Sequence, residues 1–290
     1  MTVAPAARPA RMLAAMPKQL PERARAVVTG AGSGFGRAVS LELAARGARV
    51  LVTDLDLALA EETAALVTAR GAEAHALQVD VTDAAQVEAA AVRADQLWGG
   101  TDVLVNNAGI AVVGAFAEIP LSAWKLQLDI NLSGVIFGCH HFVPRLRRNP
   151  GGGYILNVAS SAGIATAPTM APYNVTKAGV IALSETLYTE LAPARIHVTA
   201  LCPTFFRTNI HTRAQAFGAD TGKKTDRLVT ESKWSAEEIA VHAIDGLLAR
   251  QLYVIPQLDG KLAWRAKRML GQGFYQGLGF LVKRGVFGKV

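Results

Sequence analysis

The chain has 290 residues, 51% of them hydrophobic and 18% charged, which is enough apolar content for one sizeable core and too little polarity for a disordered chain. Its formal charge of +7 sits at the ends: residues 1–21 and 261–290 hold ten of the 30 basic residues and no acid, leaving 20 basic against 23 acidic residues between them. A mildly acidic body excludes a nucleic-acid-binding core, which would carry its basic patch on the folded surface.

Residues 1–21 mix Pro5, Pro9, Pro17 and Pro21 with alanines and read as a poorly ordered basic leader. No apolar stretch there is long enough for a secretory signal, and no run in the chain reaches the ~18 residues expected of a membrane-spanning helix. Cys139 and Cys202 each lie within an apolar run and read as buried, reduced thiols, so a cytoplasmic location is expected. From Ala24 onward, short β-rich runs are predicted at 26–29, 48–53, 76–79, 103–105, 154–158, 197–201 and 253–255. Helices are predicted between them near 35–46, 56–70, 83–98, 122–147, 173–191 and 236–250. Apolar, largely unalternating strands separated by helices predict an α/β fold, a doubly wound, Rossmann-like parallel sheet of about seven strands with helices on both faces. Residues 22–255 thus read as one dinucleotide-binding catalytic domain, with a polar insertion at 205–235 placed to cover a site and a tail at 256–290.

The first predicted strand runs into a glycine-rich turn, Thr29-Gly30-Ala31-Gly32-Ser33-Gly34-Phe35-Gly36, which opens the first helix. Glycines there permit a tight turn and close backbone approach to phosphate, and the helix amino terminus supplies amide donors. The spacing departs from Gly-x-Gly-x-x-Gly, because Phe35 stands where the usual pattern has its third glycine. Gly30, Ser33, Gly34, Phe35 and Gly36 are the candidate phosphate-turn residues. Asp54 ends the second strand, where a carboxylate accepts from ribose hydroxyls and repels a 2′-phosphate. Ser33, Leu55 and Asp56 offer no cation for such a phosphate; Arg37 and Arg49 are the nearest. NAD is therefore expected rather than NADP, with Asp54 and Leu55 at the adenosine end, although either Asp54 or Asp56 could instead cap the next helix. Tyr173 and Lys177, four residues apart, share one helix face. An ammonium fixed beside a phenol stabilises the phenolate, so the tyrosine pKa is expected to fall from ~10 toward neutrality, as acid–base chemistry on an alcohol or ketone requires.

These motifs together resemble the short-chain dehydrogenase/reductase family, in its compact single-domain branch. The resemblance rests on Thr29-Gly30-x-x-x-Gly34-x-Gly36, Asp80, Asn106-Asn107-Ala108-Gly109, Asn131, Ser160 and the Tyr173/Lys177 pair, and covers roughly residues 22–255. It implies that Tyr173 transfers a proton to or from the substrate oxygen, and that Lys177 lowers its pKa and bonds the nicotinamide ribose. It implies that Ser160, rather than the neighbouring Ser161, steadies the substrate oxygen. Asn131 is similar to the residue that holds a water linking Lys177 to solvent. By the same resemblance Asp80 and Val81 border the adenine, Asn107, Ala108 and Gly109 pass along the adenosine side, and Pro203, Phe206 and Thr208 contact the cofactor. Asn106 and Asn107 serve equally as strand-end packing. One departure stands out: Thr204 follows Pro203 where the family commonly has glycine, which puts the local path of that loop in doubt.

Phe205 and Phe206, with Ile164, Ala165, Met170 and Pro172, are expected to wall an apolar substrate pocket, or to pack in the core. The six histidines lack ligand spacing, so no metal is expected. The tail mixes its basic residues with Trp264, Phe274, Tyr275, Phe280 and Phe287, and glycines at 271, 273, 277 and 279 weaken any long helix there. It reads as a peripheral helix, a flap over the substrate mouth, an oligomer contact, or a segment drawn to anionic lipid at a membrane surface. The expected activity is an NAD(H)-dependent oxidoreductase interconverting a secondary alcohol and a ketone with an apolar body, in a dimer or tetramer. An NADP-dependent 3-oxoacyl thioester reductase and a non-catalytic dinucleotide-binding scaffold are the alternatives.

Overall fold

The computed structural model describes residues 19–208, 215–217 and 221–286. The predicted leader up to residue 18, parts of the 205–235 insertion and the last four residues lie outside them. Seven strands form one parallel sheet: β1 (Arg25–Thr29), β2 (Arg49–Asp54), β3 (Ala74–Gln78), β4 (Val103–Asn106), β6 (Gly153–Val158), β7 (Ile196–Leu201) and β9 (Tyr253–Val254). Their spatial order is β3-β2-β1-β4-β6-β7-β9, so the chain changes direction across the sheet between β1 and β4. Ligands of doubly wound sheets bind at that switch, beyond the carboxyl ends of the strands. A two-residue pair, β5 (Val112–Val113) with β8 (Gln215–Ala216), lies apart from the sheet and was not predicted.

Alternation explains why successive positions in the middle of these strands are apolar. In β1, Ala26 and Val28 join one core while Val27 joins the other; in β4, Val103 and Val105 face one side and Leu104 the other. Successive strand side chains point to opposite faces, and here both faces are covered. The helices α1 (Gly34–Ala45), α2 (Leu57–Thr68) and α9 (Ala236–Leu248) cover the first face. On the second lie α3 (Ala84–Trp98), α5 (Gly134–Leu146) and α7 (Ala171–Glu190). Local sequence sets their starts: Asp56 caps α2 by accepting from Leu59, Asp83 caps α3, and Ser235 with Glu238 forms a capping box on α9.

The predicted helix at 122–147 is divided. α4 (Leu121–Leu128) passes into a π-helical turn, Asp129–Ser133, before α5 begins. At that turn the buried Asn131 amide bonds the main chain of Ile110 in both directions, which gives the extra residue a partner outside the helix. The remaining helices are α6 (Ala162–Ala165), α8 (Thr221–Thr230), α10 (Leu258–Leu270) and α11 (Gln272–Lys283). The tail is thus helical but broken at Gly271, whose φ of 51° ends α10; the glycines at 273, 277 and 279 lie inside α11.

β1 and β4 are fastened at both ends. Where they enter the sheet, Arg25 forms a two-pronged pair with Asp102 at 2.7 and 2.8 Å. Where they leave it, the Thr29 hydroxyl accepts from the backbone N–H of Asn107 (3.0 Å) and Ala108 (3.1 Å). Thr29→Val keeps the side-chain shape but orphans both amides, and should cost about 1–3 kcal/mol in urea unfolding. Thr29→Ser should restore most of that loss; an unchanged midpoint for the valine variant would contradict this role.

Candidate active site

Two cavities meet at the carboxyl ends of the strands. The larger, about 740 Å³, runs along the β1–α1 turn, past the ends of β2 and β3, and up to α7. Gly30, Ser33, Gly34, Phe35, Gly36, Asp54, Leu55, Asp80, Val81, Asn107, Ala108, Gly109, Tyr173, Lys177 and Thr208 all line it. The structure therefore brings together all but two of the candidate cofactor residues. The exceptions are Pro203 and Phe206, which line a second cavity of about 140 Å³ on the far side of Tyr173. The Phe206 ring packs edge to face on that of Phe35, a residue of the large cleft, at 5.7 Å, so the two rings stand between the cavities. Ala58, Gln78, Ile110, Ile130 and Val158 also border the large cleft. No motif marked them, because they reach it through the fold rather than through a local pattern.

The glycine turn is shaped for something to approach it closely. Gly30 has φ +61°, and a Cβ there would lie 2.7 Å from Ala108 Cα; a Cβ on Gly36 would lie 2.2 Å from the Gly30 carbonyl oxygen. The turn is thus pressed against the end of β4, and the amino terminus of α1 opens on the cleft. Ser33 precedes α1 without using its hydroxyl as a cap. Asn107 braces the turn by donating to the carbonyls of Thr29 and Gly30, both at 2.8 Å. Its side chain therefore positions the loop, while its neighbour Asn106 is buried and bonded to Asn157 at 2.8 Å. Asp54, also buried, accepts from the Gly32 amide at 2.9 Å and the Asp56 amide at 3.1 Å while lining the cleft. Asp80 accepts from the Thr82 hydroxyl and amide. These features fit a dinucleotide: a tight backbone cradle, a helix amino terminus and a carboxylate at the end of the second strand.

Arg37 and Arg49 each have partners of their own. Arg37 bonds Thr63, Glu62 and the Gly32 carbonyl, and Arg49 bonds the Arg23 carbonyl and lies over the Trp98 ring.

Tyr173 is the residue that lines both cavities, and Ser160 lines the smaller one beside it. Ser160 is buried, accepts from the Ala162 amide at 3.1 Å and donates to the Pro203 carbonyl at 3.5 Å, and it is near enough to Tyr173 to favour the charged phenol. Lys177 is 3% exposed, donates to the Val158 carbonyl at 2.7 Å and stands 5.6 Å above the centre of the Tyr173 ring. The expected fall in the Tyr173 pKa does not occur in this state. Although part of the ring is open to the cavities, burial of the hydroxyl pushes its pKa up to about 12, against a smaller lowering by the Ser160 hydrogen bond. Burial likewise pulls Lys177 down to about 8, with the thiol of Cys202 acting weakly in the other direction. What lowering the phenol receives comes from Ser160, and Lys177 adds none to it. The Asn131 amide bonds the Ile110 main chain through both its oxygen and its nitrogen, each of which keeps capacity for one more partner.

Of the predicted substrate walls, Ala165, Met170, Phe205 and Phe206 line the small cavity, joined by Ala111, Ala162, Ala167 and Val229. Ile164 and Pro172 are buried elsewhere, Ile164 within the core beneath the loop. Thr204 shows where the unusual residue after Pro203 goes. Its amide donates to Gln257 at 3.0 Å and its hydroxyl to Asp259 at 3.1 Å, tying the loop to the start of α10. Among the described residues no cluster of three histidine, cysteine or acidic side chains could hold a metal.

Comparison with known proteins places this geometry in a family. The short chain dehydrogenase family model matches residues 24–217, and the chain belongs to that family. It is 41% identical over 183 residues to "Probable oxidoreductase EphD" of Mycobacterium tuberculosis, a match covering 63% of this chain and 31% of that protein. The chain thus spans about a third of the length of that relative. Among solved structures it is similar to a short-chain dehydrogenase/reductase from Burkholderia phymatum in complex with NAD, with a TM-score of 0.82 and 30% identity over 87% of this chain and 95% of the other. A 3-ketoacyl-(acyl-carrier-protein) reductase from Brucella melitensis complexed with NADH gives a TM-score of 0.71 and 31% identity, covering 81% and 95%. Its sheet and cleft are those of the Rossmann-like nucleotide-binding fold that this family shares.

Lys177→Met tests the burial of the amine. Below pH 8 both folded and unfolded chains hold the proton, and the cost of burying the charge opposes folding in full. Between the folded value near 8 and the ordinary 10.5, the unfolded chain holds a proton that the folded chain lacks, so stability rises with pH. The unfolding free energy of wild type relative to Lys177→Met, from urea titrations, should rise from pH 7 to pH 10 by up to about 3 kcal/mol. A difference independent of pH would contradict the buried amine.

Proposed function

We propose that this protein is an NAD(H)-dependent oxidoreductase that interconverts a secondary alcohol and a ketone on a small molecule with an apolar body. The observation that carries the reading is Tyr173, one phenol shared by a dinucleotide-sized cleft and a small apolar cavity. Bound in the cleft, the nicotinamide supplies or takes up the hydride. Tyr173 gives or receives the proton at the substrate oxygen, and Ser160 donates a hydrogen bond to that oxygen where charge develops on it. Lys177, whose ammonium is poorly solvated, is placed to bond the ribose hydroxyls and to pass the proton on. A water chain past Asn131 would run along the backbone of the π-helical turn. Alanine, methionine, phenylalanine and valine side chains around Ser160 favour an apolar substrate body.

Preference for NAD over NADP is supported by Asp54 and Asp56 on the cleft wall and by the commitment of Arg37 and Arg49 to other partners. The competing reading is an NADP-dependent 3-oxoacyl thioester reductase; the similarity with the Brucella reductase supports its thioester substrate but not its cofactor, since that structure holds NADH. We place residues 22–255 as the catalytic body, 205–235 as a cover over the substrate and 256–290 as a tail that touches a membrane periphery, in a cytoplasmic homo-oligomer.

An absorbance screen over secondary alcohols, including steroids, aryl alcohols and long-chain hydroxy compounds, should find turnover with NAD⁺. On the best substrate, Tyr173→Phe should keep NADH binding and lose about 10²–10⁴-fold in kcat. Full activity in that variant would overturn the proton-transfer role, and a higher kcat/KM with NADPH would overturn the cofactor assignment.

A further inference from the structure

We propose that α10 and α11 dock this protein on an anionic lipid surface, with the loop that walls the apolar cavity held directly behind them. The proposal rests on the membrane contact assigned to the tail and specifies its chemistry and its connection to the site.

Residues 261–290 carry seven basic residues and no acid. Along α10, Leu258, Leu262 and Met269 fall on one face at helical spacing, and they are 68%, 54% and 85% exposed. Lys261, Arg265 and Arg268 are exposed beside or between them. α11 contains no buried residue although it holds Phe274, Tyr275, Leu278, Phe280 and Leu281. A contiguous apolar surface of this kind on a soluble fold marks an interaction site. Among the described residues, no ion pair engages a basic side chain of either helix; instead the Arg284 guanidinium lies 4.3 Å from the centre of the Phe280 ring and that of Arg268 lies 5.2 Å from the Trp264 ring. Cations stacked on aromatic rings beside exposed leucines match a headgroup boundary, where apolar side chains sink and guanidinium groups stay with phosphate.

Charge decides the occupant. A second copy of this chain would have to bring a dense acidic face, whereas residues 22–260 carry a slight acidic excess of three spread over the whole body. An anionic bilayer offers continuous negative potential and apolar depth together. No described helix is long and apolar enough to cross it, so the contact is with its surface.

The inner side of the same helices grips the substrate loop. Lys267 donates to the Ile164 carbonyl at 2.5 Å and lies 5.7 Å from the centre of the Tyr275 ring, and the Thr166 hydroxyl donates to Tyr275 at 3.1 Å. Thr166 and Thr169, both β-branched, are held at φ of 45° and 62°, a conformation that persists only where neighbours impose it. Between Ser160 and Tyr173 this loop supplies Ala162, Ala165 and Ala167 to the cavity wall. Docking would therefore set the cavity close to the lipid, where apolar alcohols and ketones concentrate.

Co-sedimentation of the full-length protein with phosphatidylcholine vesicles, with or without phosphatidylglycerol, tests the proposal. Binding should require phosphatidylglycerol, weaken with salt, and fall by about fivefold for each of Lys261→Gln, Arg265→Gln and Arg268→Gln. Leu262→Asp with Met269→Asp should abolish it while NADH affinity stays unchanged, which shows that the variant is folded. Equal binding to both vesicle types would overturn the anionic requirement yet leave a membrane contact standing. Absence of binding to either would overturn both, as would a dimer in sedimentation velocity that the Leu262/Met269 variant alone dissolves.

Discussion

The arrangement of this molecule turns on one buried amine. Lys177 reaches from α7 to the carbonyl of Val158 at the end of β6, and almost none of it meets water. To hold a lysine there, α7 must run against the sheet, β6 must end at that carbonyl, and Ser160 must follow two residues later. The same placement sets Tyr173 one turn back, on the wall between two cavities. Desolvation raises the phenol and lowers the amine, so the free site rests with a protonated tyrosine and a lysine close to losing its charge. It is not a pre-formed phenolate.

Much of this was legible in the sequence because the informative residues act locally. The turn from Gly30 to Gly36 requires its glycines for reasons visible within one loop, and the Tyr173/Lys177 spacing reads directly as one helix face. Strand identity was legible too, since β1, β2, β4 and β6 are apolar on both faces. What escaped was decided by distant partners. The helix at 122–147 contains a π-helical turn because Asn131 bonds a main chain 21 residues away. Pro203 and Phe206 line the small cavity, and the Phe206 ring meets Phe35 on another element, a contact no local pattern shows. The direction of the Tyr173 pKa was missed for a related reason: a spacing of four says that two side chains are neighbours, but not which atoms face each other or how much water reaches them.

The tail shows how a departure in one loop can be answered elsewhere. Thr204, where the family commonly has glycine, gives up backbone freedom but gains a hydroxyl that reaches Asp259. Gln257 accepts from its amide, and Lys267 and Tyr275 hold the loop beyond Ser160. Two loops that wall the apolar cavity are thereby anchored to helices beyond the region matched by the family model. The large cleft is built almost wholly from the region the family model matches, and the loops around the small cavity are braced by helices beyond it.

The central claim is that Tyr173 is a desolvated, protonated acid. Its ionisation can be followed by ultraviolet difference absorbance, subtracting Tyr173→Phe from wild type in cofactor-free protein. The expected result is no phenolate from this residue until the pH approaches about 12. A phenolate signal from Tyr173 near neutral pH would contradict the account.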